Sequence, residues 1–306
     1  MRSESAAAYV LIIVAFLMPS VTLADELTTN GNINNVHLTG NSEYDLAVKR
    51  YLNQEVKKIV GGMEVVKDGA YPWQASLGAA WIPDPAQAHY CGGSIYNNQW
   101  ILTAAHCLEG VKASDLTIVV GTNHLGPDTP RHNVDLVLYH SGFDNSSLNN
   151  DIGLVKLADP LQFDQLIAPI DLASIEAEDA LLTPTTDDLI ITGWGAESER
   201  GPHVVDLRYA QETFIPTKTC QMPLSYGNAV TDNMLCAGYR GRGTCDADSG
   251  GPLFIQRDHA TLFGLTSFAK GCAEPLKFDV FTRVSKFQDW LRSCLAAPNS
   301  SQCHKS

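Results

Sequence analysis

A histidine, an aspartate and a serine occur in this order along the chain, each within a short motif of small and apolar residues. The motifs are LTAAH, which ends at His106, DIGLVKL, which begins at Asp151, and DSGGP, which contains Ser249. A serine hydroxyl becomes nucleophilic when an imidazole takes its proton and a carboxylate holds that imidazole in one tautomer. The three residues therefore predict acyl transfer through a serine, if the fold brings them together.

Four further motifs accompany these three and occur in a fixed order. They are IVGG from Ile59, YPWQASL from Tyr71, CGGS from Cys91 and GWG from Gly193. Together with the order His, Asp, Ser, they resemble the chymotrypsin/trypsin family of serine endopeptidases, from Ile59 to about Leu295. The resemblance implies an all-β fold of two six-stranded antiparallel β-barrels with a C-terminal helix, and a cleft between the barrels that holds the three residues.

The resemblance also implies a role for each residue in peptide hydrolysis. Ser249 attacks the carbonyl, His106 is the general base and later the acid, and Asp151 orients His106. The backbone N–H groups of Ala247 and Ser249 form the oxyanion hole. The family usually has glycine at position 247, and alanine is strained if φ is positive there, although its N–H is retained. This leaves open a weak or inactive homologue that acts as a binding or regulatory protein.

The motif that starts at Ile59 predicts activation of a zymogen. In the family, cleavage before this residue frees an α-amino group that pairs with the carboxylate preceding the nucleophile, which is Asp248 here. Lys57 and Lys58 make the site tryptic, so a trypsin-like protease is the expected activator. The alternative for Asp248 is an acid that only caps its loop.

The specificity pocket differs from that of trypsin. The position of its floor falls on Gly243, and its rim and wall positions fall on Ala269 and Asp279. A glycine floor with an aspartate on the wall resembles the brachyurin-type, collagenolytic proteases of crustaceans and insects. This predicts broad P1 specificity that covers apolar and basic side chains. The alternative is that Asp279 turns outward or is hydrogen-bonded away, which would leave a chymotrypsin-like or elastase-like pocket narrowed by Ala269.

The elements that must position these residues are short strands. Apolar runs bounded by Gly, Pro, Asn or Asp are typical of an all-β barrel or sandwich. The runs are Gln74–Leu77, Trp100–Thr103, Leu116–Val120, Val134–Leu138, Ile152–Leu157, Leu189–Thr192, Leu253–Ile255 and Leu262–Thr266. Apolar residues recur at helical spacing from Val284 to Cys294, which predicts one terminal helix.

The first 58 residues read as two segments that precede the domain. Residues 1–24 combine Arg2, an apolar run of 13 residues and a small-residue site, which indicates a secretory signal peptide; a signal anchor is the alternative. Residues 25–58 are polar, lack cysteine and have too few apolar residues to form a core, which is typical of a detachable propeptide. The peptidase domain then covers residues 59–295, and a tail covers residues 296–306.

The eight cysteines favour structural disulfides in an oxidising compartment. The resemblance implies three of the pairs, Cys91 with Cys107, Cys220 with Cys236, and Cys245 with Cys272. Cys294 and Cys303 remain, and they are expected to staple the tail to itself; pairing with another chain is the alternative.

The formal charge of −13, without a basic cluster, argues against nucleic-acid and membrane partners. The expected partners of this secreted monomer are protein or peptide substrates, the activating protease and inhibitors of the serpin or Kunitz type. No cofactor or metal is implied, because the loop after Gly121 lacks the acidic pair that binds calcium in trypsins. Asn145 and Asn299 lie in glycosylation triplets.

Overall fold

Two β-barrels dominate the computed structural model, which describes residues 38–52, 63–65, 67–195, 204–238, 248–269 and 277–305. Each barrel is built from six antiparallel strands, and a short helix follows the second barrel. The fold predicted from the sequence is therefore confirmed.

The first barrel consists of β2 to β7, in the sheet order β6-β5-β2-β3-β4-β7, and it closes through pairing of β6 with β7. The strands are β2 (Gln74–Ala79), β3 (His89–Ile95), β4 (Trp100–Thr103), β5 (Leu116–Val120), β6 (His132–His140) and β7 (Gly153–Leu157). Every residue of β2, β3, β4 and β5 is buried, whereas exposure alternates in the first half of β6. The predicted strands therefore form the barrel wall around an apolar core.

The second barrel consists of β9 to β14, in the order β10-β11-β14-β13-β12-β9, and it closes through pairing of β10 with β9. The strands are β9 (Leu189–Gly193), β10 (Arg208–Ile215), β11 (Met234–Gly238), β12 (Pro252–Gln256), β13 (Ala260–Phe268) and β14 (Asp279–Arg283). Two short strands lie outside the barrel, β1 (Met63–Glu64) on β10 and β8 (Asp171–Leu172) parallel to β13.

The helices are short and lie outside the barrels. They are α1 (Ser42–Leu52), α2 (Pro85–Ala88), α3 (Ile175–Leu181), α4 (Thr217–Cys220) and α5 (Gln288–Ala296), with 3₁₀ turns at Ala105–Cys107, Ala113–Asp115, Gly227–Ala229 and Val284–Phe287. The predicted terminal helix is thus a 3₁₀ turn that continues into α5. Within the described ranges, no helix has the length and apolar character that crossing a membrane requires.

The tail after α5 folds back onto the first barrel. Cys294 on α5 is bonded to Cys303, which confirms the predicted staple, and β15 (Cys303–Lys305) pairs with β6. The Trp290 indole N–H donates to the carbonyl oxygen of Gln302 over 2.8 Å. The tail therefore adds a seventh strand to the sheet of the first barrel.

Two more predicted disulfides are present, Cys91 with Cys107 and Cys220 with Cys236. Cys245 and Cys272 lie outside the described residues, so their pairing stays a prediction.

One acidic residue lies in the core of the second barrel. Glu212 is on β10 between Ala210 and Phe214, on the strand face that packs against the apolar core, and it is 0% exposed. Neither carboxyl oxygen has a hydrogen-bond partner in the part of the chain that the structure describes. Burial, with a smaller contribution from the negative charge of Asp279, raises the pKa of Glu212 to about 9. Glu212 is therefore protonated at neutral pH.

This buried acid makes stability depend on pH. Between pH 4.5, the ordinary pKa of a glutamate, and about 9, the folded protein retains a proton that the unfolded chain releases, so the free energy of unfolding falls as pH rises. We predict that Glu212→Gln raises the free energy of unfolding at pH 8 by about 2–4 kcal/mol, since one pKa unit corresponds to about 1.4 kcal/mol. At pH 4.5 the variant should match the wild type.

Urea unfolding from pH 4.5 to 9 measures this difference, and Glu64→Gln on exposed β1 is the matched control. Equal pH dependence in Glu212→Gln and the wild type would show that Glu212 is not the buried proton carrier.

Candidate active site

His106 and Asp151 meet because the strands that carry them are neighbours. His106 lies in the 3₁₀ turn that follows β4, Asp151 lies two residues before β7, and Thr103 at the end of β4 pairs with Gly153 at the start of β7. The His106 backbone N–H donates to Asp151 Oδ1 over 2.9 Å, and His106 Nδ1 lies 2.7 Å from Asp151 Oδ2. A carboxylate only accepts, so Nδ1 carries the hydrogen and Nε2 is left to accept a proton.

The second barrel completes the surroundings of Asp151. Ser267 on β13 donates its hydroxyl to Asp151 Oδ2 over 2.6 Å, and Thr282 on β14 donates its hydroxyl to the Asp151 carbonyl over 2.6 Å. The Asp151 carboxylate is 0% exposed, and among the described residues its donors are the His106 backbone N–H, the His106 ring and the Ser267 hydroxyl. The sequence predicted no site role for Ser267 or Thr282, although Ser267 lies two residues before Ala269, the expected rim of the pocket.

The environment strengthens His106 as a base. Burial lowers its pKa, but the negative charge of Asp151 and its hydrogen bond outweigh this effect. The pKa of His106 therefore lies above the ordinary value of 6.5. The side chain is 12% exposed, so the ring keeps an open edge for a reacting group. The imidazole can therefore take up a proton and hold it while Asp151 balances the charge.

Ser249 is attached to the first barrel through its backbone. Its carbonyl oxygen accepts from Gly92 N–H on β3 over 2.8 Å and lies 3.6 Å from Cys107 Sγ. The same sulfur lies 3.8 Å from His106 Nε2 and belongs to the disulfide with Cys91. His106 Nε2 and the Ser249 carbonyl oxygen are therefore both in contact with Cys107 Sγ, which brings the predicted base close to the backbone of the predicted nucleophile.

The turn after Ser249 requires glycine. Gly250 has φ of +76°, and a Cβ atom there would lie 2.1 Å from Thr103 Oγ1. Its N–H donates to the Thr266 carbonyl over 2.8 Å, while Gly251 N–H donates back to Asp248 O over 2.9 Å. The close approach fixes the nucleophile turn against β4, the strand that leads to His106.

Asp248 points away from this turn toward the GWG segment. Its Oδ1 accepts from Gly195 N–H over 3.1 Å, and a Cβ atom on Gly193 would lie 1.9 Å from the same oxygen.

Trp194 between these glycines is fully buried and contacts the His89 ring edge-on. His89, to which the sequence had given no role, is itself buried and hydrogen-bonded to Ser76 Oγ over 2.8 Å.

Several predicted site residues lie outside the described residues, namely Ile59, Gly243 and Ala247. The activation switch, the pocket floor and the oxyanion hole therefore remain predictions. The other two pocket residues are described: Ala269 is half-buried after β13, and Asp279, at the start of β14, is 3% exposed. Asp279 is thus inside the protein and does not turn out to solvent.

Among the described residues, one set of potential metal ligands comes together, Cys91, His106 and Cys107. The two cysteines are joined in a disulfide, so the set offers no thiolate. Asn145 and Asn299, the predicted glycosylation positions, are both exposed.

Comparisons with known proteins agree with this geometry. The family model described as Trypsin matches residues 59–291. Mouse Serine protease 56 is 36% identical over 252 residues, which cover 80% of this chain and 40% of that relative. The chain therefore spans about two fifths of the length of the curated relative. With the family model covering most of its length, the chain belongs to the trypsin family of serine endopeptidases.

Proposed function

We propose that this chain hydrolyses peptide bonds in proteins or peptides by a Ser-His-Asp mechanism. The observation that carries the proposal is the Asp151 carboxylate, which holds His106 through two hydrogen bonds beside the Ser249 turn. Ser249 Oγ attacks the carbonyl carbon and gives its proton to His106 Nε2. The protonated His106 then gives this proton to the leaving amine, which leaves an acyl ester on Ser249. Water attacks this ester with His106 again as base, and the carboxylic acid and free Ser249 are released.

The N–H groups of Ala247 and Ser249 would bind the oxyanion of the tetrahedral intermediate. Support comes from the described end of this loop, where Gly250 and Gly251 are tied to Thr266 and Asp248. Removing one oxyanion donor typically costs about 100- to 1000-fold in kcat. If the Ala247 N–H points away from the oxyanion, we expect kcat to be lower by about this factor.

The enzyme is proposed to be a secreted zymogen that is activated by cleavage after Lys58. The new α-amino group of Ile59 would then pair with Asp248, whose carboxylate already lies against the GWG segment. An α-ammonium is a suitable partner for this half-buried carboxylate, because it would add a cation to the Gly195 N–H donor. A trypsin-like protease would activate the chain, and serpin or Kunitz-type proteins would inhibit it.

The proposed specificity is broad and brachyurin-like, with Asp279 as the acidic wall opposite the glycine floor at Gly243. The burial of Asp279 supports this, because a carboxylate inside the protein can pair with a basic P1 side chain. The glycine at position 243 would leave room for apolar P1 side chains.

A fluorophosphonate probe tests the catalytic proposal. We predict that the chain, once cleaved after Lys58, becomes covalently labelled at Ser249 at pH 8. Ser249→Ala should abolish labelling, and Ser147→Ala, on an exposed loop, is the matched control. Peptide mapping by mass spectrometry identifies the labelled residue. A correctly cleaved chain that remains unlabelled would favour the binding-protein alternative.

Peptide substrates that differ only at P1 test the role of Asp279. We predict that Asp279→Gly lowers kcat/KM for P1 Arg by about 30-fold or more, the usual effect of removing one partner of a buried charge pair. The values for P1 Leu, Phe and Ala should change much less and serve as internal controls. An unchanged P1 Arg rate would exclude Asp279 as the specificity residue.

A further inference from the structure

The helix α1 lies upstream of the proposed cleavage site, yet it is packed as part of the first barrel. Tyr44 and Val48 are 0% exposed and Ala47 is 2% exposed. The sequence predicts that this region is detachable, because it cannot form a core of its own. In the structure, residues 38–52 instead pack against the outside of the first barrel.

Asn41 links the start of α1 to the turn that carries His106. Its Oδ1 accepts from the N–H groups of Glu43 and Tyr44, which caps the helix. Its Nδ2 donates to the carbonyl oxygens of His106 over 2.8 Å and Glu109 over 2.9 Å. The residue is 5% exposed, so these four hydrogen bonds satisfy a buried amide at the catalytic turn.

Aromatic contacts extend this link to the next residue of the turn. The Tyr44 ring meets the Tyr90 ring edge-to-face at 5.6 Å, and the Tyr90 hydroxyl donates to the Cys107 carbonyl over 3.2 Å. At the other end of α1, Tyr51 packs edge-to-face on Trp81 at 5.5 Å. The helix is therefore anchored at both ends, and its first turn supports His106 and Cys107.

Two further observations show how close the upstream segment comes to the site. Gly110 has φ of +78°, and a Cβ atom there would lie 3.0 Å from the Thr39 carbonyl oxygen. The charge of Glu43 contributes to the raised pKa of His106, after burial and the larger contributions of Asp151. The backbone of this segment therefore contacts the loop that follows His106, and its charge acts on His106 itself.

We propose that residues 38–52 stay bound to the catalytic domain as a non-covalent second chain after cleavage at Lys58, and that Asn41 is a positioning residue for the His106 turn. This proposal rests on the proposed activation. The segment has no cysteine, so burial and hydrogen bonds alone must retain it. Asn41, Tyr44 and Tyr51 lie before the cut and their partners lie after it, so these contacts join the two chains. None of them involves the peptide bond after Lys58, and cleavage therefore breaks none of them. Release of the segment would expose the apolar surface around Tyr90.

Retention is tested on the full chain with a specific cleavage site. The sequence Asp-Asp-Asp-Asp-Lys is placed directly before Ile59, so that enteropeptidase cuts there and spares Lys49 and Arg50 on α1. After cleavage, gel filtration at micromolar concentration is followed by intact-mass analysis of the protein peak. We expect the upstream fragment to co-elute with the domain in equal amount. A domain that is labelled at Ser249 but has lost the fragment would overturn the proposal.

The positioning role is tested with Asn41→Asp. Aspartate still caps α1 but cannot donate to His106 and Glu109, so retention should persist while kcat falls about five- to tenfold and KM changes little. Lys49→Ala, at an exposed position of the same helix, is the control and should keep wild-type kcat. Equal kcat in Asn41→Asp and Lys49→Ala would exclude the positioning role. Loss of Ser249 labelling in the cleaved wild type would instead contradict the proposed function itself.

Discussion

The buried carboxylate of Asp151 is the interaction on which the rest of the structure depends. A charge that is 0% exposed is tolerated only if donors surround it, and here the donors come from both barrels. His106 donates twice from the first barrel and Ser267 donates once from the second. The hydrogen bonds that orient the proposed base therefore form only when the two barrels are packed in this relative position.

Other contacts between the barrels repeat this dependence around the nucleophile. Gly92 on β3 donates to the Ser249 carbonyl, and Gly250 fits against Thr103 on β4 only because it lacks a side chain. Farther from the site, the Thr192 hydroxyl donates to Gln74 Oε1 over 2.6 Å. The proposed catalytic geometry thus depends on contacts between the two barrels, and α1 packs behind the His106 turn.

The proposed catalytic residues and many of the strands could be named from the sequence because both leave local patterns. Trp100–Thr103 and Leu116–Val120 are strands with the predicted bounds, since apolar runs between turn residues are typical of barrel walls. By contrast, β10 carries polar residues among its apolar ones and includes the buried Glu212, so its pattern does not distinguish it from a loop. Ser267 and Asn41 act through partners 116 and 65 residues away, a separation at which sequence spacing gives no signal.

The order of residues 38–52 was also not predictable from the local sequence. Tyr44, Ala47 and Val48 follow a helical spacing, but three apolar residues cannot form a core and gave no reason to expect order. Their order comes from the barrel surface, which the local sequence does not reveal. Helix formation here depends on tertiary packing, as is usual for short helices.

The central claim is that Asp151 orients and balances His106 as the base for Ser249. The most direct test is kcat/KM and kcat of the cleaved enzyme from pH 5 to 9, for the wild type and Asp151→Asn. We predict that wild-type kcat/KM rises with a midpoint above 6.5, because Asp151 raises the His106 pKa, and that kcat of the variant is lower by about 10⁴-fold with little change in KM. A variant within tenfold of the wild type across this range would contradict the account.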